Sequence, residues 1–338
     1  MSRTKSIVLS LACAVLAVPA RGEPQEEPPS PEALISRARL QQELGIEGTL
    51  PLSLRAEIHA SNDKWTKLSG DYTLEWVSSS QWKEVIRLAN YERLRIRDVK
   101  GYWQTTTMSH QPLIIFQLDT LLHLKEALKI ETKETLSKVK TRKKNGVQQD
   151  CTDIKWPYGL DRTLCFDTAN GTLASIDFAT EEIPVEISRI EYTDFHLVAG
   201  KQIPYEIRAL QGGTELISVK MAEISETWAK NPARFAVPAN ADFWPYCDDL
   251  RYPELVDRVP PKYPPGALAS RAQGRVIFYA VIESDGSLSH LAVIQRAAPD
   301  LQAAALEALQ QWRYQPAACH ETPVRVETSI AVAFWLRR

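Results

Sequence analysis

Side chains able to do chemistry are present in this chain, but their spacing does not assemble a reaction centre. The six histidines, His59, His110, His123, His196, His290 and His320, are scattered. No two of them stand at the i, i+4 spacing of a helical metal site, and each reads as a surface or strand residue. Asp248-Asp249 and Glu181-Glu182 are adjacent carboxylates, which on a strand would point to opposite faces. No G-x-S-x-G, P-loop, G-x-G-x-x-G or H-E-x-x-H sequence occurs. The basic run from Lys138 to Lys144 abuts Asn145-Gly146 and reads as a solvated hairpin tip. The expectation is a non-enzyme with no catalytic residue, no metal and no cofactor.

The elements that would position any site begin with a leader. Arg3 and Lys5 precede an apolar run from Ile7 to Ala20, closed by Arg21-Gly22-Glu23. A basic start, a short apolar core and small residues at Ala20 and Gly22 predict a secretory signal peptide over 1–22. The run falls short of the roughly 20 residues that span a bilayer. The predicted location is therefore periplasmic, with an uncleaved inner-membrane anchor as the alternative. Cys13 follows Ser10-Leu11-Ala12, a poor lipobox, and belongs to the discarded segment.

Four cysteines remain, Cys151, Cys165, Cys247 and Cys319, an even number that favours disulfides in an exported chain. Three pairings are possible. The favoured one joins Cys151 to Cys165, closing a loop of about 15 residues that stabilises by roughly 3 kcal/mol. Cys247 and Cys319 would then tie the approach to the last domain to the loop before its final strand. Zinc is disfavoured, because there is no C-x-x-C and only Cys319-His320 are neighbours.

The chain has 338 residues, 44% hydrophobic and 24% charged, with formal charge −2. Such values predict two globular domains plus tails, with no reason to expect nucleic acid as a partner. A Pro/Glu-rich segment and short helix occupy 23–46, with Ser30-Pro31 as the helix start. A β-rich domain follows over 47–228. Leu52, Leu54, Ala56 and Ile58 alternate with polar residues, as do Tyr72, Leu74 and Trp76, then Trp82, Ile86 and Leu88, then Leu94 and Ile96. That is an antiparallel meander. A helix is expected over 117–129, and strands at 133–143, 147–155, 163–168, 172–179, 184–194, 203–209 and 215–224. A proline-rich connector over 229–260 should hold neither helix nor sheet.

Residues 275–283 are β-branched and aromatic, Asp285-Gly286 is a hairpin turn, and 288–295 return. Leu301, Ala305, Ala308, Leu309 and Trp312 mark one face of a helix that starts at Pro299. From Val324 to Leu336 apolar residues alternate, with Arg325, Glu327, Ser329, Ala331, Ala333 and Trp335 on the other face. The fold class is α+β: an N-terminal antiparallel curved sheet or half-barrel with few helices, then a β-β-α-β unit over 261–338.

The order of Pro261-Lys262-Tyr263-Pro264-Pro265-Gly266-Ala267, Gly274-Arg275-Val276, Asp285-Gly286, Trp312-Arg313-Tyr314-Gln315-Pro316-Ala317 and Pro323-Val324 resembles the C-terminal domain of TonB-family energy transducers. The resemblance implies binding of envelope proteins, foremost outer-membrane TonB-dependent receptors. A partner's extended segment would add to the last strand, read by Arg325, Glu327, Ser329, Ala331, Ala333 and Trp335, with Trp335 as anchor. The alternatives for that face are docking on the protein's own N-terminal domain, in keeping with apolar Ile277, Tyr279 and Val281, and homodimerisation. Unlike a full transducer, the chain has a cleavable-looking leader and only a short Pro-rich stretch from Glu23 to Pro31.

The first domain loosely resembles periplasmic lipoprotein carriers of the LolA/LolB kind through Gly70-Asp71-Tyr72-x-Leu74-x-Trp76, Gln81-Trp82 and Gly101-Tyr102-Trp103. That resemblance implies a lipid or lipoprotein ligand as a second reading. Trp76, Trp82, Trp103 and Trp156 are expected in the core or rim, with the lining of an acyl-chain cavity as the alternative.

Overall fold

The computed structural model describes residues 29–44, 50–62, 65–130, 133–144, 146–155, 161–179, 187–226, 232–247 and 249–336. The leader over 1–22, Asn145, Trp156, Glu181-Glu182 and Asp248 lie outside them.

Ser30 caps α1 (Pro31–Gln42), its hydroxyl accepting from the Ala33 amide at 3.2 Å. The helix buries Leu34, Ile35 and Ala38. The meander follows as β1 (Leu52–Asn62), β2 (Trp65–Ser78), β3 (Gln81–Leu88), β4 (Tyr91–Arg97) and β5 (Gly101–Thr106). α2 (Leu113–Leu122) and α3 (Leu124–Ala127) interrupt it. The helix therefore begins before the expected 117 and breaks at His123. Proline at the Pro112 cap fixes the first turn, and β-branched Ile114-Ile115 hides its helical character in the sequence.

The sheet resumes with β6 (Thr135–Leu136), β7 (Lys140–Lys144), β8 (Val147–Lys155), β9 (Arg162–Asp167), β10 (Leu173–Phe178), β11 (Arg189–Val198), β12 (Lys201–Gln211), β13 (Thr214–Ser225) and β14 (Asp242–Pro245). One antiparallel sheet of fourteen strands results, in the order β14-β5-β4-β3-β2-β1-β13-β12-β11-β10-β9-β8-β6, with β7 also on β8. It is open, curved, and filled on its concave side by α1 and α2, whose Leu34, Ile35, Ile115 and Leu118 join the main core.

The connector departs from expectation. It contributes β14 to the edge of the large sheet, and then β15 (Leu250–Arg251) and β16 (Glu254–Asp257). All three are short and pair with a single neighbour, and the one proline within them, Pro245, ends β14 at the sheet edge.

The C-terminal unit opens with α4 (Pro265–Ala269) and β17 (Gly274–Ile282), then β18 (Leu288–Gln295) and α5 (Pro299–Leu309). Short β19 (Arg313–Gln315), β20 (Ala317–Cys319) and β21 (Thr322–Val324) lead to β22 (Val326–Phe334). β19 pairs with β16, and β20 lies between β15 and β21. The main sheet runs β18-β17-β22. Val276, Phe278 and Ala280 of β17 pack with Ile330, Val332 and Phe334 against Leu301, Ala305 and Leu309 of α5. Gly286 turns the first hairpin at φ +81°, and a Cβ there would meet the Tyr314 carbonyl oxygen at 1.9 Å. Only glycine satisfies both the angle and the approach.

The other face of this small sheet is covered by the first unit. Tyr279 and Val281 pack on Trp244 of β14, with Tyr102 and Phe116 beside them. The Arg325 guanidinium lies 4.2 Å from the Trp244 ring centroid and donates to the Phe243 carbonyl at 3.0 Å.

Candidate functional site: a charged cluster at the mouth of an apolar cavity

The site starts from the register of two strands. Trp82, Glu84, Ile86 and Leu88 alternate on one face of β3, and their partners across β4 are Arg97, Arg95, Arg93 and Tyr91. Three arginines therefore point into the concave face, where α2 supplies Asp119. Arg93 is fully buried, with its two Nη atoms donating to Asp119 Oδ1 and Oδ2 at 2.6 and 2.7 Å. It also donates to Glu84 Oε1 at 3.0 Å and to Gln111 Oε1 at 2.7 Å. His123 Nε2 sits 2.8 Å from Glu84 Oε2, and the Tyr72 hydroxyl donates to that same oxygen at 3.3 Å.

Burial alone would raise the Glu84 and Asp119 carboxyls. His123, Arg93 and Arg95 reverse this at Glu84, and Arg93 leads the reversal at Asp119, so both are held below the usual carboxylate range. Burial would lower His123, but Glu84 and Asp119 outweigh it and raise the imidazole above its ordinary value.

The signs follow for stability. The carboxylates' contribution is present above about pH 4 and is lost as pH falls through their depressed values. The His123 contribution is full below about pH 6.5 and is lost as pH rises through its raised value. Thermal unfolding of wild type and His123→Gln should differ most near about pH 6 and converge towards about pH 9. A gap that stays constant across that range would show that the imidazole's charge is not involved.

Glu84, Asp119 and His123 offer ligand atoms within 4.8 Å of one another, close enough for a cation. Arg93 already places its charge between both carboxylates, so this donor set does not suit a metal. Cys247, Cys319 and His320 are also close, but the two sulfurs are bonded to each other.

The cluster borders a cavity of about 330 Å³ in the concave face. Leu54, Leu74, Trp76, Ile203, Ile207 and Met221 form its apolar wall. Glu84, Arg95, His123, Lys125 and Tyr246 line its polar end. Trp76 and Trp82 thus face the cavity rather than only the core, whereas Trp103 sits outside it, against Phe243 and Asp98. His123 corrects the view of the histidines as scattered surface residues. The spacing of Glu84, Arg93, Arg95, Asp119 and Tyr72 in the sequence does not mark them as a site. The alternation of Arg93, Arg95 and Arg97 with Leu94 and Ile96 was the available clue.

The six residues proposed to read a partner share one face of β22 and its extension, and their settings differ. Glu327 is turned inward. It accepts from Gln111 Nε2 at 2.6 Å and the Tyr279 hydroxyl at 2.7 Å, with Arg95 Nη2 at 3.6 Å. Arg325 is held by Trp244 and Phe243. Ser329 and Ala331 are half-buried, while Ala333 and Trp335 are exposed. Among the described residues β22 pairs only with β17, so its outer edge is open. The cysteines join as Cys151–Cys165, directly opposite on β8 and β9, and Cys247–Cys319. No described helix is long and apolar enough to cross a membrane.

Residues 259–336 match the family described as Gram-negative bacterial TonB protein C-terminal, so this portion is a TonB-type C-terminal domain. No curated protein is significantly similar to the chain. Among solved structures, it is similar to a LolA superfamily protein from Nitrosomonas europaea, at 8% identity and TM-score 0.41, covering 62% of this chain and 98% of that one. A DUF1329 family protein from Desulfovibrio piger follows at 7% identity and TM-score 0.41, covering 60% and 94%. Pseudomonas aeruginosa MucB, in its complex with MucA, matches at 10% identity and TM-score 0.26, covering 76% and 81%.

Proposed function

We propose that this is a non-catalytic envelope protein that recruits an extended segment of an outer-membrane receptor, or of another envelope protein, to β22. The observation that carries this reading is the open outer edge of Val326–Phe334, in a TonB-type domain and next to exposed Trp335. Unpaired N–H and C=O groups on such an edge accept a further strand by main-chain hydrogen bonds.

Synthetic peptides from receptor N-terminal segments, titrated into the full-length protein, test it. Bound peptide should slow hydrogen exchange across Val326–Phe334. Trp335→Ala should weaken binding by tenfold or more, about the loss of an interface anchor. Protection confined to other strands would defeat the proposal.

The cavity favours a second reading, in which the first domain carries a lipid or lipoprotein chain and the TonB-type domain is its docking module. Its volume of about 330 Å³ and its wall of Leu, Ile, Met and Trp suit one hydrocarbon chain. Native mass spectrometry of protein drawn from cell envelopes should then find co-purified lipid, and a clean apo mass would count against it.

A further inference from the structure

The cavity's charged end has one group left over once its partners are paired off. Both oxygens of Asp119 are taken by Arg93, while Glu84 is shared between Arg93, His123 and Tyr72. Glu327 is satisfied by Gln111 and Tyr279. Arg95 is different. Its Nε donates to Gln104 Oε1 at 2.7 Å, and its plane lies over Tyr102. Its Nη atoms meet Asp119, Glu84 and Glu327 only at 3.7, 4.0 and 3.6 Å, beyond hydrogen-bonding distance. A guanidinium that lines the cavity and whose two Nη atoms have no acceptor within hydrogen-bonding distance among the described residues matches a planar or tetrahedral oxyanion.

We propose that the cavity takes a single-chain amphiphile with an anionic head, and that this head competes with Glu327 of the TonB-type domain for Arg95. The proposal rests on the reading of the cavity as a ligand site, and it adds the head group's charge and the coupling. The apolar wall takes the tail and Arg95 the head, with Lys125 on the same rim. Glu327 belongs to β22, so an occupied cavity weakens one of the contacts that hold the partner-reading face against the first domain. Ligand state and strand availability then become linked through their differential contacts at one arginine.

Calorimetric titration of the full-length protein with hexadecanoate, its methyl ester and hexadecyltrimethylammonium tests this. Hexadecanoate should bind about tenfold tighter than the ester or the ammonium compound, the scale of a charge-assisted hydrogen-bond pair. Arg95→Met should bring acid and ester to parity while keeping both bound. Glu327→Gln, close to isosteric and informative even if the arginine variant misfolds, should tighten the acid several-fold and leave the ester unchanged. Equal binding of acid and ester by wild type would overturn the head-group assignment and leave the cavity reading intact. An unchanged acid affinity in Glu327→Gln would overturn the competition. Binding of none of the three probes would remove the cavity reading and this inference together.

Discussion

Arg93→Met should destabilise the protein by about 3–5 kcal/mol, the range for removing one partner of a buried ion pair. Methionine fills much of the same space, so the loss is mainly electrostatic. Two carboxylates, Glu84 and Asp119, would stay in the concave face without the guanidinium that hydrogen-bonds both. Gln111 would lose its acceptor role and loosen its hold on Glu327. Urea titrations give the magnitude, and pH gives the cause. Without Arg93 the Asp119 carboxyl loses the main group holding it low and Glu84 loses one of three, so the deficit should shrink as acid protonates them. Adding Glu84→Gln and Asp119→Asn to Arg93→Met should recover part of the loss, because a neutral cluster leaves no uncompensated charge. A deficit below about 1 kcal/mol would place Arg93 among the ordinary surface ion pairs, contrary to its complete burial.

How far the sequence foretold this depends on which contacts make each element. The Ser30 cap, the first meander strands, α5 and the alternation along β22 rest on neighbours close in sequence, and they were legible. The charged cluster was not. Alternation across Leu94 and Ile96 is real, but both faces are covered, with Ile96 buried on one and Arg93 on the other. Arg93 and Arg95 are tolerated inside because α2 delivers Asp119 from a distant stretch of chain, and a period-2 pattern carries no trace of that. Glu84 is hidden for the same reason, although it shares a face with Ile86 and Leu88. The connector's strands were hidden by its prolines, which forbid central strands and leave edge pairing open. Glu327 shows the limit from the other side. Its place on one face of β22 follows from alternation, whereas its hydrogen bond from Gln111 exists only once two units meet.

Replacing Cys247 and Cys319 by serine should cost about 4 kcal/mol in the chain-entropy view, since the crosslinked residues are 72 apart in sequence. Serine at Cys151 and Cys165, only 14 apart, should cost nearer 3 kcal/mol. The larger difference is in kind. Cys151 and Cys165 face each other on adjacent strands of one sheet, so their loss weakens a single cooperative unit. Cys247 follows the edge strand β14 and lines the cavity, whereas Cys319 ends β20 just ahead of β22. That bond joins a cavity-lining segment of the first unit to the approach to β22. Without it, the packing of Tyr279 and Val281 on Trp244 and the contacts of Arg325 and Glu327 must hold the interface. Calorimetry of Cys247→Ser/Cys319→Ser should therefore show two transitions in place of one, the small sheet melting first, while Cys151→Ser/Cys165→Ser keeps one. A wild-type midpoint and a single transition in the former would mean that the buried Glu327 contacts suffice to lock the units. The open edge of β22 would then be presented on a rigid platform, and occupancy of Arg95 would have little leverage over it.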